Sequence, residues 1–202
     1  LPTWNGATWS PPVPTRQISA IAADVLRNAV YGAGTEDARI DLATLMSLQA
    51  TWDLRGDVFD GVFDQRMSIW DALYAVLRTG RTQPVMVGNV VTFVRDEKRT
   101  VPRALFNPRN IVRNSFSADY ILLDPDTPDC VDVEYMDAET WTMKTVRAAL
   151  PGSTAQTPAK ISFFGCTAYT RAWREGMYQC AANKYRRILP LLSTEMEGRM
   201  VR

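Results

Sequence analysis

Histidine is absent from all 202 residues. That removes Ser-His-Asp and Cys-His catalysis from this chain, along with the commonest zinc and iron ligand sets. Cysteine is scarce: Cys130, Cys166 and Cys180 are odd in number and widely spaced. No Cys-x-x-Cys pair suggests metal or redox chemistry. The expectation is three free, buried thiols in a protein made in a reducing cytoplasm. No Walker-type phosphate loop or Gly-x-Gly-x-x-Gly fingerprint occurs. Tyr31-Gly32-Ala33-Gly34 has a Gly-x-Gly pair, but after a helical stretch, where it reads as a helix terminator. No apolar run approaches the roughly 20 residues that span a bilayer. The net charge is +1, too small a field to imply a nucleic-acid or membrane partner. No cofactor is expected.

What is present is ordinary for a globular fold: 46% hydrophobic and 22% charged residues. A chain of this length suits one large domain, or one domain with a lobe, and buries about 70% of its unfolded surface without staples. It opens on Leu1-Pro2-Thr3-Trp4, neither an initiator methionine nor a signal peptide, and ends on Arg199-Met200-Val201-Arg202 without an obvious terminal cap. The expectation is a piece of a longer polypeptide.

Residues 1–15 hold four prolines and two tryptophans, Trp4 and Trp9, and read as an extended arm whose indoles dock on this domain or a neighbour. Residues 16–80 read as a helical lobe. Ile18, Ile21, Ala22, Val25, Leu26, Ala29 and Val30 make one stripe over 16–31, stopped by Gly32 and Gly34. Thr35-Glu36-Asp37 starts a second helix that runs through Leu42, Leu45, Met46, Gln49 and Trp52 to Gly56. Val58 to Phe63 reads as a tight turn between short β pieces. Ser68 and Asp71, at capping-box spacing, open a third helix with Trp70, Leu73, Tyr74 and Leu77 on one face.

After Gly80 the period falls to two, and 81–202 reads as a β-rich domain. Val85–Val87 and Val90–Val94 flank Gly88-Asn89, a two-residue hairpin loop. Residues 112–122 resemble a further strand. Val131, Val133 and Tyr135 alternate with Asp132, Glu134 and Met136, and Asp137–Thr140 turns this strand into a partner at Trp141–Val146. The most informative stretch is 163–187: a strand end, a capped turn, and a helix over 168–187 with a basic exit. Trp173, Met177, Cys180, Ala181 and Tyr185 are its expected core contacts. Ile188 to Thr194 returns as a strand that Pro190 confines to an edge or bulge. The fold class is α+β: a helical lobe, then a hairpin- or barrel-like β-rich domain braced by one long helix.

Candidate chemistry is thin. Asp132 and Glu134 share a strand face and are the remaining acid–base pair for a glycosidic bond, but one strand cannot place groups on both sides of a sugar. Asp57, Asp60 and Asp64 lack the further ligands of a calcium loop and read as turn formers. Arg171, Arg174, Lys184, Arg186 and Arg187 fall on more than one helix face and read as a solvated or protein-contacting surface. Trp4 and Trp9 are the best protein-interface candidates; Trp70 and Trp173 read as interior. Catalytic, cofactor and metal residues are expected to be none. A wall-degrading hydrolase on Asp132 and Glu134, or a carbohydrate-binding module on Trp141, is the rival.

Seven segments carry a family resemblance: Asp-Gly-Val-Phe-Asp at 60–64, Trp-Asp-Ala-Leu at 70–73, Val-Thr-Phe-Val-Arg-Asp at 91–96, Val-Asp-Val-Glu-Tyr-Met-Asp at 131–137, Phe-Gly-Cys-Thr at 164–167, Trp-Arg-Glu-Gly-Met-Tyr at 173–178, and Ala-Ala-Asn-Lys-Tyr-Arg-Arg at 181–187. In their order and spacing the chain resembles the tail-tip attachment proteins of long-tailed phages and prophages, the lambda-type host-specificity family, over about residues 5–199. The resemblance implies the baseplate-hub region of a large virion protein, assembled in the host bacterial cytoplasm and homotrimeric in full length. It implies contact with the distal tail protein and other tail-tip proteins, no catalysis, and host-surface contact through regions outside this stretch.

Overall fold

The computed structural model describes residues 1–102, 105–121 and 128–195. Residue 122 of the expected 112–122 strand, and residues 196–199 at the end of the resemblance, lie outside them. The fold is α+β: the described residues form four α-helices and seven strands in small sheets, none of them closed into a barrel. Two compact units divide it. The first is Leu1–Asp96 with Glu134–Lys144 and Ser162–Ala172; the second is Glu97–Val133, Thr145–Ile161 and Trp173–Arg202. The boundary expected at 80/81 is therefore displaced.

The reason lies in the hairpin after Gly80. Strands β1 (Thr82–Val87) and β2 (Val90–Arg95) pair antiparallel, Val87 opposite Val90, with Gly88 at φ 63° in the two-residue loop. Val91 and Phe93 of β2 are buried in one cluster with the helices, so the hairpin completes the helical core instead of starting a new domain. Thr92 donates its hydroxyl to Asp41 at 2.7 Å, and Asp41 also caps the next helix.

Helix α1 (Ile18–Arg27) buries Ile18, Ala22, Val25 and Leu26, as its stripe predicts, but it ends four residues early. Asn28 leaves the helix at ψ 124° and its side-chain oxygen accepts from the Val30 and Tyr31 amides. Local side-chain bonding thus outcompetes the helix, and Val30 is exposed. Helix α2 (Leu42–Arg55) starts at the Asp41 cap; a separate 3₁₀ turn, Asp37–Arg39, occupies the acidic stretch expected to begin it. Helix α3 (Ile69–Arg78) has the Ser68–Asp71 cap read from sequence, Ser68 accepting from the Asp71 amide at 3.0 Å. Its buried face is Ala72, Leu73, Val76 and Leu77; Tyr74 stays at the surface. Trp52, wholly buried, donates Nε1–H to the Gly80 carbonyl at 3.0 Å. Residues 58–63 form no strand.

Residues 1–13 are not extended. Ser10 N–H donates to Thr3, Val13 N–H to Leu1, and Trp4 bridges Trp9, so the segment doubles back on itself. Backbone groups that an extended arm leaves to water are paired instead.

In the second unit, β3 (Ser117–Tyr120) pairs antiparallel with β7 (Ile188–Leu191). Strands β4 (Cys130–Met136), β5 (Met143–Ala149) and β6 (Pro158–Ser162) make a three-stranded sheet, order β5-β4-β6. Helix α4 (Tyr169–Tyr185) braces the part of it in this unit. A Cβ on Gly176 would lie 2.6 Å from the Ala148 methyl and 2.9 Å from Val133, so only glycine permits this approach. Cys180 donates to the Ala148 carbonyl at 3.2 Å. Of the expected α4 core contacts Cys180 is buried, whereas Trp173 and Tyr185 are exposed; Arg171, Ala172 and Glu175 take the interior positions.

Candidate functional site

Within the first unit, three separate stretches converge on Asp60. The Asp60 amide donates to Gly165 O at 2.9 Å, which sets the 60–64 segment against 164–167. The Asp60 carboxylate then accepts from Thr167 Oγ1 at 2.7 Å, Arg171 Nη2 at 2.8 Å and Arg16 Nη2 at 2.6 Å, and Arg16 Nε completes a fork. Arg171 also donates to the Val58 carbonyl. Burial alone would raise the Asp60 pKa, but the Arg16 and Thr167 hydrogen bonds and the two guanidinium charges outweigh it and hold it below the usual carboxylate range. Its hydrogen bonds and charge pairing make this carboxylate a clasp for the stretches around it.

Beside the clasp, Phe59, Phe63 and Phe164 form a ring cluster with centroids 5.4 to 5.8 Å apart. Gly165, at φ 77°, admits the cluster, because a Cβ there would lie 2.4 Å from the Phe59 ring. The cluster floors a cleft of about 750 Å³, a volume within the range of small-molecule and peptide sites. Its walls are mainly apolar: Val62, Met136, Trp141, Met143 and Phe164 among them.

Trp141 stands at the tip of the β4–β5 turn, 82% exposed and at φ 53°. A bulky side chain in the left-handed region is an outlier, and here a capped turn holds it there. Asp137 Oδ2 accepts from the Thr140 amide at 3.1 Å, the Thr140 hydroxyl at 2.8 Å and Lys144 Nζ at 2.8 Å. The Trp141 amide donates to the Asp137 carbonyl at 2.9 Å. The Lys144 and Thr140 bonds bring Asp137 down to about 2. Trp141 is thus presented to solvent by a fixed scaffold.

The residues singled out from sequence fall in three places. Trp4 and Trp9, with ring centroids 5.1 Å apart, are half-buried on their own unit, over a small hollow lined by Leu45, Met46 and Gln49. Trp9 donates Nε1–H to Asp37 at 2.7 Å, and the Arg27 guanidinium lies 3.9 Å over its ring. The tryptophan pair expected at an interface therefore finds its first partners at home. Asp132, in the second unit, is buried and held bidentate by Arg147 at 2.7 and 2.8 Å, which keeps it ionised; Glu134 is exposed. Asp57 pairs with Arg55 at 2.9 Å. Among the described residues no group of three or more Cys, Asp or Glu is placed to hold a metal ion. Cys130, Cys166 and Cys180 are free and buried, and burial pushes each thiol pKa up.

Sequence reasoning missed the cleft and the Asp60–Arg171 pair. The signal for the second was present: Gly165 follows Phe164, and Gly61 lies two residues from both Phe59 and Phe63, a pattern that fits close packing of two loops. Trp141 entered only as a rival's platform. No family model matches the chain, and no curated protein matches it.

Proposed function

We propose that this chain is a structural part of a phage or prophage tail tip, the baseplate-hub region of a host-attachment protein, and that it performs no catalysis. The observation that carries the reading is the ordered run of seven segments resembling the lambda-type host-specificity family. Two of those segments, 60–64 and 164–167, are clasped together through Asp60, Gly165 and Thr167, which suits motifs kept for packing. The charge chemistry supports the same reading. Asp60 and Asp132 each neutralise arginine in a fixed pair, and the buried thiols are held un-ionised. Groups used in this way stabilise a shape and offer no poised acid or base.

The partners in this reading are sister copies of the chain, a distal tail protein and other tail-tip proteins, with host contact made through regions elsewhere in the polypeptide. The location is the distal end of a tail. The test is fractionation of particles from a producing strain. The gene product should travel with intact tails in a density gradient, and its deletion should leave tails incomplete. A product recovered only as free protein, with tails unaffected by deletion, would overturn the reading.

The Trp141 cleft favours one second reading, a glycan-binding module of a tail tip, since an exposed tryptophan on a rigid turn is a natural sugar platform. Glycan-array binding that disappears in Trp141→Ala would select it. The mainly apolar walls weigh against it, because a sugar needs a ring of hydrogen-bonding partners.

A further inference from the structure

We infer that the Trp141 cleft of one copy receives the β7 strand, Ile188–Leu191, of a second copy of this chain, in a head-to-tail contact. The inference deepens the self-association just proposed and rests on it. It starts from two surfaces that water should not cover. The cleft presents Val62, Trp141, Met143 and Phe164, all exposed. Trp, Met and Phe are the side chains enriched at the centres of protein interfaces. Arg16 and Asp60, the charges that line the cleft, are already paired with each other, so its interior asks for an uncharged occupant.

The chain itself offers such an occupant. Ile188-Leu189-Pro190-Leu191 carries no charge, and all four residues are exposed, Leu191 at 71%. It belongs to a two-stranded sheet, which is marginal in water without cover. Its register explains why the side chains, and not the strand edge, make the contact. The Ile121 amide donates to the Arg187 carbonyl, which makes that pair a hydrogen-bonded one. By alternation Ala118 opposite Pro190 is a non-hydrogen-bonded pair, and position 190 faces outward. Proline has no N–H, so the outer edge of β7 is closed to strand addition there. Four extended residues present about 13 Å of apolar chain.

Charge complementarity decides for a second copy over an unrelated apolar segment. Immediately before β7 stand Lys184, Arg186 and Arg187, the basic exit of α4. Beside the cleft, Asp64 follows Phe63 and Glu139 precedes Trp141 by two residues, and both carboxylates are exposed. An apolar strand led by cations fits an apolar cleft flanked by anions. Because the two surfaces differ, each copy keeps one free cleft and one free strand, and such contacts close into rings when the rotation permits.

The experiment uses four single variants of this chain, studied by sedimentation at high micromolar concentration and low ionic strength, where charge pairing is least screened. Wild type should self-associate. Trp141→Ala lacks a working cleft and Leu189→Asp a working strand, so each alone should be monomeric, with association at least tenfold weaker. An equal mixture should form dimers, since one intact cleft meets one intact strand. Glu139→Lys, at an exposed position, and Arg187→Glu, at a half-buried one, should each weaken association and restore it when mixed. Circular dichroism and melting confirm that each variant is folded. Wild type that stays monomeric, or mixtures no more associated than their components, would overturn the inference. A chain found in tails whose mixtures fail removes this contact and leaves the hub reading; one whose mixtures pair but which is absent from tails does the reverse.

Discussion

Arg171 and Asp60, 111 positions apart in sequence, are joined by a 2.8 Å hydrogen bond, and the arginine side chain is only 6% exposed. The guanidinium could not be buried there without that carboxylate. Breaking a buried pair by removing one member leaves an uncompensated charge, at a cost of about 3 kcal/mol or more. Asp60→Asn should therefore lower the midpoint of urea denaturation markedly. Arg16→Ala should cost much less, because Arg16 is 63% exposed and solvent screens its contribution. Equal effects of the two would show that the interior half of the clasp is unimportant.

Stability should fall in acid through the same group. Asp60 is held below its ordinary value in the folded chain. Its contribution is thus fully present above the unfolded carboxylate pKa of roughly 4 and is lost as pH falls through the lower folded value. Asp137, brought down to about 2, acts in the same direction. Melting temperature measured against pH should drop below about pH 4, and Asp60→Asn should flatten that drop.

Gly165→Ala and Gly88→Ala separate two kinds of glycine. Both positions have positive φ, 77° and 63°, so each substitution carries a backbone cost of about 1 kcal/mol. A Cβ at Gly88 meets nothing within 4 Å, whereas at Gly165 it enters the Phe59 ring at 2.4 Å. Overpacking should add about 1–3 kcal/mol at Gly165 alone. Chemical denaturation of the two variants side by side tests the difference, and a larger loss at Gly88 would contradict it.

The three thiols should be inert in the folded chain. Burial keeps them protonated and covered, and the thiolate is the reactive form. Thiol-specific reagents should label none of them rapidly under native conditions and all three after unfolding. Fast native labelling of Cys166 would place a reactive sulfur beside Arg171.

The parts of the fold legible in the sequence are those with local causes. Ser68 caps α3, Gly88 turns the β1–β2 hairpin, and Gly56 ends α2 at φ 67°, each through chemistry confined to a few residues. The alternation of Val131, Val133 and Tyr135 likewise marks buried positions of β4, although Asp132 between them is buried too, held by Arg147. The errors arise where distant residues decide. The hairpin joins the helical core because Val91 and Phe93 fit against it, which no local pattern announces. Trp173 sits at a helical core spacing yet faces out, because Arg171 and Glu175 take the interior. The cleft is assembled from five separated stretches of chain, so periodicity carries no trace of it.

The central claim is that this chain is built into the end of a tail. Gold-labelled antibodies raised against it, applied to purified particles and viewed by electron microscopy, test that most directly. The account predicts gold at the distal tip of intact tails and none on tails from a deletion strain. Gold scattered along the tail or on the head, or particles that carry none at all, would contradict it.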